Sequence, residues 1–369
     1  MHTEICDRFG IEHPIIGFTP SEQVAAAISR AGGLGVLGCV RYNDAGELDR
    51  ALHWMDDNTG GRPYGVDVVM PATVPTEGTP VDLGTLIPAG HREFVERTLT
   101  ELGVPPLPVG PDGAGRPGVL GWLHSVARAH VEVALKHPIA LIANALGSPP
   151  PDVIARAHAD GIPVAALAGT AAHAQRHVAA GIDVVVAQGY EAGGHTGEIA
   201  SMVLLPEVVD AVGADVPVLA AGGIGTGRQI AAALALGATG VWMGSTWLTT
   251  EEYTLGGPNS STQRALLAAG SSDTVRSRVY SGKPARLLKT RWTQAWAAPD
   301  APAPLPMPLQ NLLVSEAHER IAQSGDPDVV AMPVGQIVGR MNRVRPVAEV
   351  FDDLLGELAE TLDRLGRLR

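Results

Sequence analysis

The amino-acid sequence predicts an α/β fold, a (β/α)8 barrel with an insertion in one βα loop and a C-terminal helical extension. Three observations carry this. About eight short runs are apolar on both faces, as in Ile139-Ala140-Leu141-Ile142 and Val184-Val185-Val186, which suits buried parallel strands. Ala-rich helical stretches separate these runs, and several end at a glycine. The residues suited to chemistry gather after several different strands, which favours a closed barrel over an open doubly wound sheet with one crevice.

In chain order the expected strands are His13–Phe18, Leu34–Val40, Tyr64–Met70, Pro138–Asn144, Pro163–Ala168, Asp183–Ala187, Pro217–Ala221 and Gly240–Gly244. Between them lie helical segments such as Glu22–Ala31, Asp152–Ala159, Ala171–Ala180 and Thr226–Leu236, with stops at Gly32, Gly161, Gly181 and Gly237. Residues 71–118 break the rhythm: they are rich in Pro and Gly around one helical piece, His91–Glu101, and read as a βα-loop insertion on the lid side of the barrel. The barrel therefore takes residues 1–70 and 119–250, and residues 251–369 form an extension packed on it. Within that extension, 250–310 reads as an arm ending in the Pro-rich run Ala301–Pro308. Val347–Leu368 has helical apolar spacing and reads as a docked terminal helix, with a homodimer contact as a further expectation.

Composition narrows the function classes. The net charge of −12 over 369 residues argues against nucleic-acid and anionic-membrane partners, which need a basic face. No signal peptide is visible at Met1–Asp7, and no apolar run reaches the ~18 residues of a membrane span, so a cytoplasmic location is expected. Cys6 and Cys39 fit no disulfide or zinc pattern. His124, His130, His137, His158, His173 and His177 lie in or beside helical stretches, where surface or capping roles are expected. Glu251-Glu252 and the run Arg286, Lys289, Arg291 read as solvated, with Arg286 a candidate for steering an anion.

Three segments carry the chemistry. Ala187-Gln188-Gly189-Tyr190-Glu191-Ala192-Gly193-Gly194-His195-Thr196-Gly197 directly follows a strand, so it lies at the barrel's catalytic end. Its glycines let backbone approach a ligand, and His195 is placed to donate to or abstract from a substrate. With Glu198 it makes only a sparse metal-ligand set. The second segment, Pro217–Arg228, runs from a strand through Gly222-Gly223 into a helix; Arg228 stands where a dinucleotide fingerprint needs its last Gly. The third, Trp242-Met243-Gly244-Ser245-Thr246, ends the next strand in a glycine and two hydroxyls. In tandem the last two suit the phosphate of a mononucleotide held after strands 7 and 8 of a barrel.

These segments, with His13-Pro14-Ile15-Ile16, the run Ala25–Gly38, Ala232–Ala238 and Pro333-Val334-Gly335-Gln336, resemble the nitronate monooxygenase (2-nitropropane dioxygenase) family of FMN-dependent TIM barrels. The resemblance implies Gln188, Gly193 and Gly194 beside the flavin, Gly222, Gly223, Gly244, Ser245 and Thr246 at its phosphate, Gln336 against the cofactor and His195 as the active-site histidine. It implies oxidation of alkyl nitronates by dioxygen to a carbonyl compound and nitrite; the alternative on the same barrel is an NAD(P)H-dependent quinone or enoyl-thioester reductase. Either role of His195, holding an anion or taking a proton, is expected to need a pKa near neutrality. The chain departs from the family at Gly17-Phe18-Thr19, where Ala-Pro-Met is common, at Asp67 in place of Asn, and at Trp242 before Met243 in place of Gln. All of these departures fall at positions expected to line the cofactor.

Overall fold

The computed structural model describes residues 2–70, 83–108 and 124–368. Its parallel strands β1 (Ile15–Thr19), β2 (Leu34–Gly38), β3 (Tyr64–Val68), β4 (Leu141–Asn144), β5 (Val164–Ala168) and β6 (Val184–Gln188) close into a barrel with β8 (Val218–Ala221) and β9 (Gly240–Met243), and β9 returns to β1. Three further strands, β7 (Gly194–His195), β10 (Thr274–Ser277) and β11 (Ala285–Leu288), form a small antiparallel sheet in the order β10-β11-β7. Each run expected as a barrel strand overlaps one, β1 and β6 ending one residue later than expected. Where the bounds differ the cause is local: Pro138–Asn144 shortens to Leu141–Asn144 because Pro138 has no N–H and Ile139 turns back to His137.

Strand alternation sorts the side chains. Ile16, Leu34, Val36, Leu141, Val184, Val186, Leu219 and Trp242 fill the interior, and Ile5 and Phe9 of the helix Glu4–Phe9 plug its N-terminal end. Ile15, Val185, Val218 and Val241 face outward onto the helices. Gly161 and Gly181 end their helices at φ +73° and +93°, the left-handed conformation expected of a helix stop.

The insertion contributes the helix Ala89–Glu101, whose Phe94 and Leu99 pack with Trp292, Leu313 and Val314. Arg320 fastens it through Glu96, 2.9 Å away, and the Pro105 carbonyl. The rest of the expected lid region, residues 71–82 and 109–118, lies outside the described residues. The terminal helix Val347–Gly366 docks on the barrel through Val350, Phe351, Leu354 and Leu358. Residues 250–310 do more than the expected arm. They supply β10 and β11, and after the extended Pro-rich run comes a helix, Leu309–Ser324, absent from the sequence reading. Among the described residues no helix is long and apolar enough to cross a membrane.

Candidate active site

At the C-terminal mouth of the barrel the loops after β6, β8 and β9 touch. A Cβ on Gly222 would stand 3.2 Å from the Gly189 backbone, and one on Gly225 would stand 3.0 Å from Thr246 Oγ1. Gly222 and Gly223 both have positive φ, +107° and +70°, and neither N–H has a hydrogen-bond partner among the described residues. Gln229 braces this loop, donating to the Gly223 carbonyl and accepting from the Gly225 N–H. Gly244 is open, its nearest prospective Cβ contact 3.6 Å away, and the buried Thr246 hydroxyl has no partner among the described residues. Consecutive left-handed glycines, free N–H groups and an orphaned hydroxyl fit a phosphate. The neighbouring helix Gly227–Ala235 does not offer its first turn to that group. Glu357 accepts from the Gly227 N–H at 2.8 Å and pairs with Arg228, so a carboxylate already faces this terminus.

A strap from the extension crosses the mouth. Gly193 lies so close to it that a Cβ would stand 2.6 Å from the Gly335 nitrogen. The Gly335 N–H donates to Ser245 Oγ at 2.8 Å, and the Gln336 N–H to the Glu191 carbonyl at 2.9 Å. The structure therefore brings Gly193, Ser245 and Gln336 together, and Ser245, accepting from the strap, keeps its O–H as a donor. Glu191 also accepts from the backbone and hydroxyl of Ser201, which positions the turn after Gln188. A cleft of about 490 Å³ opens beside this loop, outside the barrel wall, lined by Glu191, Ser201, Gly222, Gly223, Gln336 and Arg340.

Gly194 and His195 form β7, pairing with Arg286 and Ala285 of β11. His195 Nε2 lies 2.6 Å from Ser281 Oγ. Burial, and secondarily the Lys283 ammonium, push its imidazole down to about 4, well below the near-neutral value expected from its role. His195 is therefore neutral at pH 7. Burial lowers Lys283 too. Ser281 and Lys283 were absent from the sequence reading; the available signal was Ser281-Gly282-Lys283-Pro284, a turn between two short alternating runs. Arg286, read as solvated or substrate-steering, is 3% exposed; it donates to the Tyr190 carbonyl and to Thr274 while stacking on the Tyr190 ring. A buried guanidinium spent on three hydrogen bonds to neutral acceptors fixes the loop, and it is not the solvated residue expected. Glu198 is exposed and pairs with Arg276, far from a metal-ligand set.

The departures from the family pattern separate by face. Phe18 and Trp242 turn inward and stack, centroids 6.3 Å apart. Thr19 is buried and accepts from the Ser21 N–H. Gly17 and Met243 turn outward: a Cβ on Gly17 would strike Ile28 at 2.5 Å, and Met243 packs in the helix layer. Only their backbone can face a ligand. Gln188 ends β6 at an inward, half-buried position. Asp67 is buried with Oδ1 unpartnered among the described residues; burial pushes its carboxyl up to about 8, opposed by the Ala145 N–H.

The sequence profile of the nitronate monooxygenase family matches residues 2–357. A protein of Mycobacterium tuberculosis (strain ATCC 25618 / H37Rv) named "Putative monooxygenase Rv1533" is 50% identical over 99% of this chain and 98% of its own. Among solved structures, nitroalkane oxidase from Streptomyces ansochromogenes superposes with a TM-score of 0.79 at 30% identity, covering 98% of this chain and 99% of that one. FabK from Thermotoga maritima does so with a TM-score of 0.74 at 26% identity, covering both chains fully. With the closed parallel barrel and the glycine-lined mouth, these matches show that the chain belongs to the nitronate monooxygenase family of flavin-dependent oxidoreductases.

Proposed function

We propose that this enzyme binds FMN at the barrel mouth and oxidises alkyl nitronates with dioxygen to a carbonyl compound and nitrite. The observation that carries the reading is His195, a neutral imidazole held by Ser281 beside the Lys283 ammonium. Bound FMN supplies the redox chemistry between the organic anion and dioxygen. Gly222, Gly223, Gly244 and Thr246 hold its phosphate, and the two glycine loops, lacking a dinucleotide fingerprint, suit a mononucleotide. With Ser281 donating to Nε2, His195 presents Nδ1–H to the nitro oxygens, and Lys283 adds a long-range attraction for the negative charge. An imidazole whose conjugate acid sits near 4 is a poor proton acceptor, so this arrangement favours a substrate that arrives already as the anion over a neutral nitroalkane.

The visible spectrum of the purified protein, with mass identification of the released flavin, tests the cofactor; a colourless protein that takes up no FMN overturns it. Anaerobic mixing with propionate 3-nitronate, and separately with NADPH, tests the reaction. Flavin reduction by the nitronate alone is the expected result. The full-length likeness to FabK favours a second reading, an NAD(P)H-dependent quinone or enoyl-thioester reductase, and rapid bleaching by NADPH alone would establish it in place of the first.

A further inference from the structure

Near the N-terminal ends of β3 and β4, away from the mouth, lies a second group of histidines and carboxylates. The helix Ala45–Asn58 carries Asp49 and His53 one turn apart, facing His137 in the turn before β4. His137, expected at a surface or cap, is buried. Its Nδ1 lies 2.6 Å from Asp56 Oδ2, and the Tyr64 hydroxyl donates to the other Asp56 oxygen at 2.7 Å. The His137 Nε2, on the other side of the ring, lies 3.3 Å from Asp49 Oδ1, so a carboxylate oxygen stands at each ring nitrogen. The His53 ring stands edge-on to His137, centroids 4.7 Å apart, and ligand atoms of all three residues lie within 4.8 Å of one another. His53 is 69% exposed and Asp49 39%, so the group opens to solvent on one side.

We propose that Asp49, His53 and His137 bind a divalent transition-metal cation of the zinc type, with water as a further ligand. Two imidazoles and one carboxylate suit such an ion and not magnesium or calcium, which take oxygen donors. Asp56 orients His137 through its non-ligating nitrogen, and Tyr64 orients Asp56; this carboxylate–histidine support is the usual outer shell of a zinc ligand. The ion pins the helix Ala45–Asn58 to the turn that launches β4, a structural role at the end of the barrel opposite the chemistry.

The test uses untagged, flavin-loaded, full-length protein, stripped with a chelator. It is titrated with Zn²⁺ by calorimetry and with Co²⁺ by visible absorption. One ion per chain is expected, with cobalt bands of a four-coordinate site and a higher Tm in zinc. His53→Ala and Asp49→Asn, both at the exposed side, each weaken zinc binding by at least about tenfold, and Asp56→Asn by about 10–100-fold, with flavin content and turnover unchanged. Absence of saturable binding overturns the proposal and leaves the group an imidazolium–carboxylate cluster. Binding that survives both His53→Ala and Asp49→Asn undiminished overturns it equally.

Discussion

On one flank of the barrel mouth, Gly222, Gly223, Gly244 and Thr246 come from two consecutive βα loops, each held by its own strand and helix. On the other, His195 sits on a two-residue strand that exists only because β11, about ninety residues further on, pairs with it, and its imidazole is held by Ser281 from the same remote hairpin. The first flank is a local product of the barrel; the second is assembled from the extension. The proposed phosphate loops are therefore set by the barrel itself, whereas the placement of His195 can change with the hairpin without disturbing them.

Substitutions can break or sharpen this contrast. The largest effect is expected from His195→Ala, which lowers kcat/KM for a nitronate by about 100-fold through loss of a hydrogen bond to a charged group, with flavin content unchanged, as steady-state oxygen uptake and the visible spectrum will read. Gly193→Ala forces the strap away and is expected to weaken flavin retention about tenfold, measured by dialysis against free FMN. Ser281→Ala loosens the imidazole and lowers turnover about fivefold. The pH profile follows from the depressed His195 value: KM for the nitronate is flat from neutrality to about pH 5, and its acid limb falls through about 4 as the imidazole charges while keeping Nδ1–H for the anion. Lys283→Met shifts that acid limb upward, because it removes the ammonium and leaves burial as the remaining cause.

Asp67→Asn addresses the barrel interior. The folded carboxyl stays protonated up to about 8, whereas the unfolded one ionises near 4, so folding takes up a proton across that range and stability falls as pH rises through it. The Asn variant therefore has a higher Tm, by a few degrees at pH 8 and almost none at pH 4. The smallest effect belongs to Glu357→Gln, about 0.5 kcal/mol in stability with flavin content unchanged. A marked change in flavin affinity there would place the phosphate at the helix terminus and dissolve the contrast between the flanks.

How much was readable in advance follows the same division. The strands around Ile142, Val185 and Leu219 announce themselves because both faces are buried, and Gly161 and Gly181 because a helix stop needs a left-handed residue. Gly222-Gly223 and Gly244 are equally local signals. Arg286 was misread as solvated because nothing near it in sequence reveals that the Tyr190 carbonyl and Thr274 receive it. The depressed His195 value arises from burial and from Lys283, some ninety residues away in sequence, and the capture of the Gly227 helix by Glu357 spans 130 residues of chain. The inward turn of Trp242 and the outward turn of Met243 follow from strand parity once the register of β9 is known.

The strap at Val334–Gln336 also has a consequence in time. During synthesis the barrel strands have all left the ribosome once residue 243 has emerged, and domains fold as they emerge. Yet the segment that bridges Ser245 and Glu191 lies nearly a hundred residues later, and the carboxylate that caps the Gly227 helix later still. A ribosome paused between those points carries a closed barrel with an unfinished rim. On the proposed FMN reading, the rim that closes on the flavin is completed only near the end of translation, and a chain truncated before its last forty residues is expected to lose flavin retention.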